Sequence, residues 1–272
     1  MNESIVRALS GIVYIALLLG ATLYNPISFY ILFGFFLWVA VYEFCKLVSI
    51  NAIIPIVSSG VLLSSHIVNL DKDYIIWFLN IVSVLTGIYL IYKLFSQKGE
   101  NNLRGWTRGF LLSGYVIFPF LLIVKLPYLA SYQSPVYEPM VLIGAFVIIW
   151  TNDTFAYIVG KTMGRHKLLE RISPKKTIEG FLGGMVFAIL GAYILSIYFQ
   201  VISPAQWMVS AAILVIFGTL GDLVESKFKR TAGVKDSGSI MPGHGGILDR
   251  LDSIIFAIPF LFLYYQITNY VS

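Results

Sequence analysis

The sequence has little charge and almost no cysteine. Asp, Glu, Lys and Arg make up only 12% of its 272 residues, whereas soluble domains carry about 25%. Hydrophobic residues make up 58% and the mean hydropathy is +0.82, which is more apolar surface than a water-soluble fold of this length can bury. An ordinary soluble domain is therefore excluded. The single cysteine, Cys45, also excludes an internal disulfide.

Several common catalytic and targeting patterns are missing as well. The three histidines and one cysteine form no cluster with zinc spacing, and no serine lies in a nucleophile elbow. Gly160-Lys161-Thr162 is not a P-loop, because the first glycine of that motif is absent. The first apolar run lacks a small-residue cleavage site, so we expect a retained helix rather than a leader. The net charge of +5 does not indicate a nucleic-acid partner, because the basic residues lie in loops between apolar runs.

What the sequence does contain is a series of apolar runs of about 17 to 23 residues, the length that a bilayer requires. Nine such runs predict an all-α, polytopic membrane protein. Five belong to an N-terminal region, residues 1–130, and four to a C-terminal region, residues 131–272, with two polar loops. The third run is the weakest, and Gly183 and Gly184 in the seventh predict close helix packing. The predicted spans are 5–24, 27–46, 52–69, 74–94, 108–126, 139–160, 179–200, 206–224 and 253–270.

The distribution of Lys and Arg predicts the orientation in the membrane. With nine spans, seventeen of the nineteen basic residues fall on one face, and only Lys72 and Lys125 fall on the other. Cytoplasmic loops are the basic ones, so we expect a cytoplasmic N-terminus. The same count places the polar loops 161–178 and 225–252 together on the cytoplasmic face.

The stretch 222–252 is the most polar part of the chain. It holds five of the fourteen acidic residues, five of the nineteen basic ones and one of the three histidines. Its glycine-rich run, 242–246, can approach a ligand closely and offer backbone N–H donors. His244, inside that run, is open to three roles: base, ligand or hydrogen-bond donor. Acids for a metal and bases for phosphates together indicate phosphate chemistry.

Two pairs of carboxylates in this stretch have helical spacing. Asp222 and Glu225 are three residues apart, and Asp249 and Asp252 repeat that spacing, so each pair shares a helix face. Carboxylates at the mouths of membrane helices are suited to a hard cation such as Mg²⁺. The structural alternative is that these acids form ion pairs with neighbouring bases, namely Lys227, Lys229 or Arg250.

A second polar region surrounds the sixth and seventh spans. Asp153 lies within the sixth span, where an acid should face protein or water; a buried acid bonded to neighbouring hydroxyls is the structural alternative. In the loop that follows, Pro174 stiffens the chain before Lys175 and Lys176. The N-terminus of the seventh span can attract anions, so we expect these two lysines to contact phosphate. The other bases of the loop are typical of membrane topology or of contact with anionic lipid.

Residues 226–252 resemble the signature of the CDP-diacylglycerol synthases, also called phosphatidate cytidylyltransferases. Met241 departs from the family pattern, which usually has Leu, Ile or Phe there. The stretches NDTFAYIVG and ISPKKTIEG are similar to the same family, although Phe155 replaces a residue that is more often small. The likeness covers the C-terminal half, and the first five spans carry no comparable motif. The matching residues are Ser226, Phe228, Lys229, Arg230, Lys235, Asp236, Gly238, Pro242, His244, Gly245, Gly246, Ile247, Asp249, Arg250, Leu251 and Asp252.

The resemblance implies transfer of a cytidylyl group from CTP to phosphatidate, which gives CDP-diacylglycerol and pyrophosphate. It implies Mg²⁺ as the cofactor, with a second cation left open, and a homodimer. We expect the cytoplasmic membrane of a prokaryote, with the active site facing the cytoplasm. Another CTP-dependent lipid enzyme such as a polyprenol kinase, and an ion-coupled transporter, are the alternatives.

The candidate site residues fall into three groups. The family's metal-binding carboxylates carry over to Asp222 and Asp249, and Glu225 is added as a third candidate metal ligand. The candidate catalytic residues are the same two aspartates with Lys229, Arg230 and His244. The candidate substrate or phosphate contacts are Lys175, Lys176, Ser226, Lys235, Asp236, Gly245, Gly246, Arg250, Asp252 and Asp153.

Overall fold

The computed structural model describes residues 3–68, 72–96, 105–129 and 136–271. These residues are almost entirely helical, which confirms the all-α prediction. The helices are α1 Glu3–Tyr24, α2 Pro26–Leu47, α3 Ile53–Val68, α4 Asp73–Phe95, α5 Gly105–Leu111, α6 Phe118–Lys125, α7 Met140–Met163, α8 Ile178–Tyr198, α9 Pro204–Thr231 and α10 Leu248–Val271. A single short hairpin, the only one in these ranges, consists of β1 Lys167–Leu169 and β2 Ser173–Thr177.

Eight helical segments of the described residues are long and apolar enough to cross a membrane. The third predicted span, 52–69, corresponds to α3, which has 16 residues and is therefore about 24 Å long, shorter than a hydrocarbon core of about 30 Å. In the described residues, the nine predicted spans therefore correspond to eight full-length spans and one shorter apolar helix. The fifth span, Gly105–Tyr128, contains a π-helical turn at Leu112–Ile117. The cytoplasmic N-terminus stays a prediction.

Packing divides the chain into two compact units, which are described separately. The first consists of Met1–Lys125 and Phe228–Asp252, and the second of Leu126–Lys227 and Ser253–Ser272. The first unit is therefore built from two distant parts of the chain. The boundary predicted at residues 130 and 131 lies outside the described residues.

In the first unit, α2 packs against α1, α3 and the π-helical turn. Asn25 is the N-cap of α2, and its side-chain oxygen accepts a hydrogen bond from the backbone N–H of Ser28 at 2.9 Å. Near the other end of α2, the ring of Phe44 lies 5.6 Å from that of Tyr115 and 5.2 Å from that of Phe228. Through this aromatic cluster, the segment Phe228–Asp252 packs against α2 at its first residue.

In the second unit, α7 and α8 pack side by side. A Cβ added at Gly183 would lie 2.7 Å from Val159, and one at Gly184 would lie 2.5 Å from the side-chain oxygen of Asn152. Only glycine allows the two backbones to approach this closely. The predicted close packing of the seventh span is confirmed.

The polar loop between α7 and α8 contains the hairpin, which the sequence did not reveal. Its strands are antiparallel, with Lys167 opposite Thr177 and Leu169 opposite Ser173. Thr177 then caps α8, because its Oγ1 accepts the backbone N–H of Gly180 at 3.1 Å. The hairpin therefore delivers β2 directly to the N-terminus of α8.

Candidate functional site

In the first unit, the segment between α9 and α10 folds into a tight turn. The N–H of Met241 donates to the carbonyl of Gly245 at 3.0 Å, and the N–H of His244 donates to the carbonyl of Met241 at 2.9 Å. Gly245 has φ +85°, and a Cβ there would lie 2.5 Å from Oδ2 of Asp249. The position requires glycine for both reasons. The turn thereby brings the backbone against the Asp249 carboxylate.

Asp249, in the first turn of α10, is held by four donors. Its Oδ2 accepts the N–H and the Oγ–H of Ser237, both at 2.9 Å, and the N–H of Gly246 at 2.8 Å. Its Oδ1 accepts Nζ of Lys229 at 2.6 Å, and the two side chains are only 6% and 13% exposed, respectively. A carboxylate offers about four lone-pair directions. The ion pair considered from the sequence is therefore present. Because three of the four donors bind Oδ2 and only Lys229 among the described residues binds Oδ1, Oδ1 keeps a lone-pair direction for a further ligand.

Sequence reasoning missed Glu43 on α2, whose side chain is only 3% exposed. Its Oε1 accepts the N–H of Ile247 at 3.2 Å, and its Oε2 accepts the N–H of Leu248 at 2.8 Å. The hydroxyl of Ser237 lies 3.2 Å from Oε2. An acid inside an apolar span is costly unless it is satisfied, so such an acid is a candidate site residue. The same rule singles out Asp153 in the sequence, and it also singles out Glu43.

His244 is fixed by hydrogen bonds on both its ring and its backbone. Its Nδ1 shares a hydrogen bond with Oγ of Ser10 at 2.8 Å, and its carbonyl accepts Nε and Nη2 of Arg250 at 3.1 and 2.8 Å. Partial burial lowers the pKa of the imidazole, and the guanidinium groups of Arg250 and Arg7 lower that pKa further. The ring is therefore neutral at pH 7. Of the three roles left open by the sequence, hydrogen bonding is the one observed.

The other candidates in the first unit lie differently. Arg230, Lys235 and Asp236 are exposed, whereas Asp252 is buried in α10. The structure thus gathers the lysine, serine and glycine donors around Asp249 and leaves Arg230 and Lys235 at the surface.

In the second unit, Asp222 on α9 forms an ion pair with Lys176 on β2, through Oδ2 and Nζ. Its Oδ1 accepts the hydroxyl of Ser226 at 3.3 Å. Glu225 is fully buried, and one of its carboxylate oxygens lies within 4.8 Å of one from Asp222. The expectation that these two acids share a helix face is confirmed. Two oxygen ligands at this separation can bind a metal ion, and a hard cation such as Mg²⁺ suits them.

Two candidates in the second unit lie at the surface. Lys175 is exposed on β2, and Asp153 is exposed on α7. The side-chain nitrogen of Asn152 donates to Oδ1 of Asp153 at 3.3 Å. The alternative in which Asp153 is a buried acid is therefore wrong, because the residue is exposed on this chain.

Each unit thus contains the same chemical pairing. A candidate metal-binding aspartate lies against a lysine, Asp222 with Lys176 in one unit and Asp249 with Lys229 in the other. Carboxylates attract a divalent cation, and ammonium groups attract phosphate oxygens. Each pair can therefore contact a divalent cation through its carboxylate and a phosphate oxygen through its ammonium group.

The chain matches the model of the cytidylyltransferase family over residues 5–268. It is similar to the phosphatidate cytidylyltransferases of Staphylococcus aureus, at 55% identity over 119 residues, and Staphylococcus saprophyticus, at 52% identity over 119 residues. Each of these two alignments covers 43% of this chain and 45% of the relative, so the chain spans less than half of their length. The chain is also 36% identical to the phosphatidate cytidylyltransferase of Staphylococcus epidermidis over 210 residues, which cover 68% of this chain and 79% of the relative.

Proposed function

The chain belongs to the cytidylyltransferase family, and on that premise we propose that it transfers a cytidylyl group from CTP to phosphatidate. The products are CDP-diacylglycerol and pyrophosphate. The name of the similar staphylococcal proteins supports this choice of acceptor. The structural observation that carries the proposal is the pairing of an aspartate with a lysine in each unit.

The proposed reaction joins two anions. An oxygen of the phosphatidate phosphate attacks the α-phosphorus of CTP, and the bond from that phosphorus to the β-phosphate oxygen breaks as pyrophosphate leaves. Phosphatidate is already ionised, so the attack needs no general base. The main obstacle is repulsion between the two polyanions, which positive charge at fixed positions offsets. Lys176 and Lys229 supply that charge, with Arg230 and Lys235 exposed for further phosphate contact.

Mg²⁺ is the proposed cofactor, with Asp222 and Glu225 as the proposed ligands in the second unit and Asp249 as the proposed ligand in the first. The carboxylates of Asp222 and Glu225 support this assignment through their mutual distance and their oxygen chemistry. When bound, the ion supplies charge neutralisation on the phosphates and on the leaving oxygen. Ser226 orients Asp222 by donating to Oδ1.

The setting is an integral membrane protein with bacterial relatives. One proposed substrate carries acyl chains and the other is water-soluble, so the reaction belongs at a membrane surface. We assign it to the cytoplasmic face, because the polar loops are rich in Lys and Arg, as cytoplasmic loops of membrane proteins usually are. We also propose a homodimer.

The test uses purified protein with phosphatidate, Mg²⁺ and CTP labelled with ³²P at either the α or the γ position, with thin-layer separation of lipids. Transfer of the α label to lipid supports the proposal, whereas transfer of the γ label would identify a lipid kinase instead. Asp222→Asn should lower product formation by at least about 100-fold, which corresponds to about 2.7 kcal/mol. Glu138→Gln, a matched loss of a carboxylate in the segment before α7, should be as active as the wild type. Full activity of Asp222→Asn would refute the metal assignment.

A further inference from the structure

Glu43 connects α2 to a segment that follows it by about 200 residues. Its carboxylate accepts the N–H groups of Ile247 and Leu248 at 3.2 and 2.8 Å, sequence separations of 204 and 205 residues. Leu248 is the first residue of α10, and the first N–H groups of a helix have no partner within the helix. The carboxylate supplies that partner, and the positive end of the helix dipole favours the negative charge. Glu43 thus fixes the start of α10.

Ser237 links Glu43 to Asp249 by contacting both carboxylates. Its hydroxyl lies 3.2 Å from Oε2 of Glu43 and 2.9 Å from Oδ2 of Asp249, and its N–H also donates to that Oδ2 at 2.9 Å. The hydroxyl has one hydrogen and lies in contact with both acids. Asp249 and Glu43 therefore hold one segment from two sides, through Ser237 and through the turn at Gly246.

We propose that Glu43 is a positioning residue for Asp249, in the reaction proposed above. It acts through Ser237 and through the first N–H groups of α10, and it fixes the direction in which the Asp249 carboxylate points. Lys229, paired with Oδ1 at 2.6 Å, is fixed with it. Partners that orient a metal ligand affect metal affinity or activity by about 10–100-fold when they are removed.

The location of the bonds favours positioning over general support of the fold. The three residues that bond to the Glu43 carboxylate lie within twelve residues of Asp249, and two of them directly precede it in the chain. Oδ2 of Asp249 accepts groups of the same held segment, from Ser237 and Gly246. A shift of that segment would therefore rotate the carboxylate directly.

The test uses full-length protein in detergent with Mn²⁺ as the probe, and free Mn²⁺ is measured by electron paramagnetic resonance without substrate. Glu43→Gln keeps the size of the side chain but places an NH₂ group against a donor. Ser237→Ala removes only the hydroxyl and leaves both N–H bonds of Glu43 in place. The matched controls are Glu138→Gln for the carboxylate and Ser83→Ala for a buried hydroxyl, since Ser83 donates to a carbonyl of its own helix, that of Leu79.

We expect Glu43→Gln to weaken Mn²⁺ binding by about 10–100-fold. We expect Ser237→Ala to weaken it by a smaller factor, and the double variant to bind no more weakly than Glu43→Gln, because the two residues act in series. Both controls should bind as the wild type does. The Mg²⁺ concentration that gives half-maximal liponucleotide formation should rise in parallel.

A purely structural role predicts a different pattern. Glu43→Gln and Ser237→Ala would then melt at lower temperature while binding Mn²⁺ like the wild type, and that result would overturn the proposal. If Glu43→Gln does not fold, wild-type affinity in Ser237→Ala overturns it equally. If the wild type binds Mn²⁺ and Glu43→Gln does not, but no liponucleotide forms, positioning stands and the proposed function fails. A wild-type protein that binds no Mn²⁺ but forms liponucleotide would overturn the positioning proposal and leave the proposed function standing.

Discussion

Replacing Asp249 with Asn removes one charge of a nearly buried ion pair and leaves the shape of the side chain unchanged. The wild-type side chains of Asp249 and Lys229 are 6% and 13% exposed. Asparagine has one acceptor oxygen. If that oxygen keeps the donors at Oδ2, the new NH₂ group faces the ammonium of Lys229. Asp249→Asn therefore replaces the carboxylate that faces a nearly buried ammonium group with a neutral amide.

The expected cost follows from that geometry. Removing one partner of a buried ion pair costs about 3–5 kcal/mol, and the remaining exposure of Lys229 favours the lower end, about 3 kcal/mol. In a chain of this size each kcal/mol shifts Tm by about 2–4 °C, so Tm should fall by about 6–12 °C. Adding Lys229→Met removes the ammonium group that faced the lost carboxylate, and the double variant should regain at least about 1 kcal/mol.

Cys45 provides the assay. It is the only cysteine of the chain and is fully buried, so a thiol-reactive fluorescent dye reports unfolding directly. Tm is measured for the wild type, Asp249→Asn, Lys229→Met and the double variant at one pH and one detergent concentration. An unchanged Tm in Asp249→Asn, or a double variant whose loss equals the sum of the single losses, would refute the ion-pair reasoning.

Three further predictions concern stability. Gly246→Ala places a Cβ against both oxygens of the buried carboxylate on α2 and should cost about 1–3 kcal/mol, whereas Gly20→Ala, with nothing within 4 Å, should not lower Tm; equal melting of the two would contradict this close approach. The pKa of His244 is lower in the folded protein than its ordinary value, so protonating this histidine favours unfolding. The free energy of unfolding should therefore be constant in this respect above about pH 6.5 and decrease as the pH drops from there through the folded-state pKa. His244→Gln should flatten that decrease in Tm at acid pH. Gly184→Val should force α8 away from α7 and lower Tm more than Gly191→Ala, whose nearest neighbour is 3.7 Å away, and melting curves that rank the two in the opposite order would refute the packing.

The spans could be predicted because apolar runs of bilayer length are typical of membrane helices and rare elsewhere. Helix ends were less well predicted. α9 continues to Thr231 and α10 begins at Leu248, whereas the apolar runs predicted an end at 224 and a start at 253. Charged residues end an apolar run without ending a helix, since Glu, Lys and Arg are good helix formers. The hydrophobic pattern therefore predicts which residues are apolar enough to lie in the bilayer, but it does not predict where the helix ends.

The candidate residues could be predicted better than their partners. Asp222, Asp249, Lys176 and Lys229 follow from acids and bases at the ends of apolar runs, and from the resemblance. Which lysine meets which aspartate depends on tertiary packing between residues that are not neighbours on one helix turn. Glu43 could be found as an acid inside an apolar span, but its partners could not, because they are more than 190 residues away and no spacing rule reaches that far.

The discontinuous first unit has a consequence for biosynthesis. Met1–Lys125 leaves the ribosome long before Phe228–Asp252, which completes that unit. Until then Glu43 on α2 lacks the backbone N–H groups and the hydroxyl that hydrogen-bond to its carboxylate in the folded protein. Nascent chains halted before residue 228 should accordingly be more sensitive to membrane proteases than chains released after residue 252, because the early helices await a late-made segment to satisfy a costly polar group.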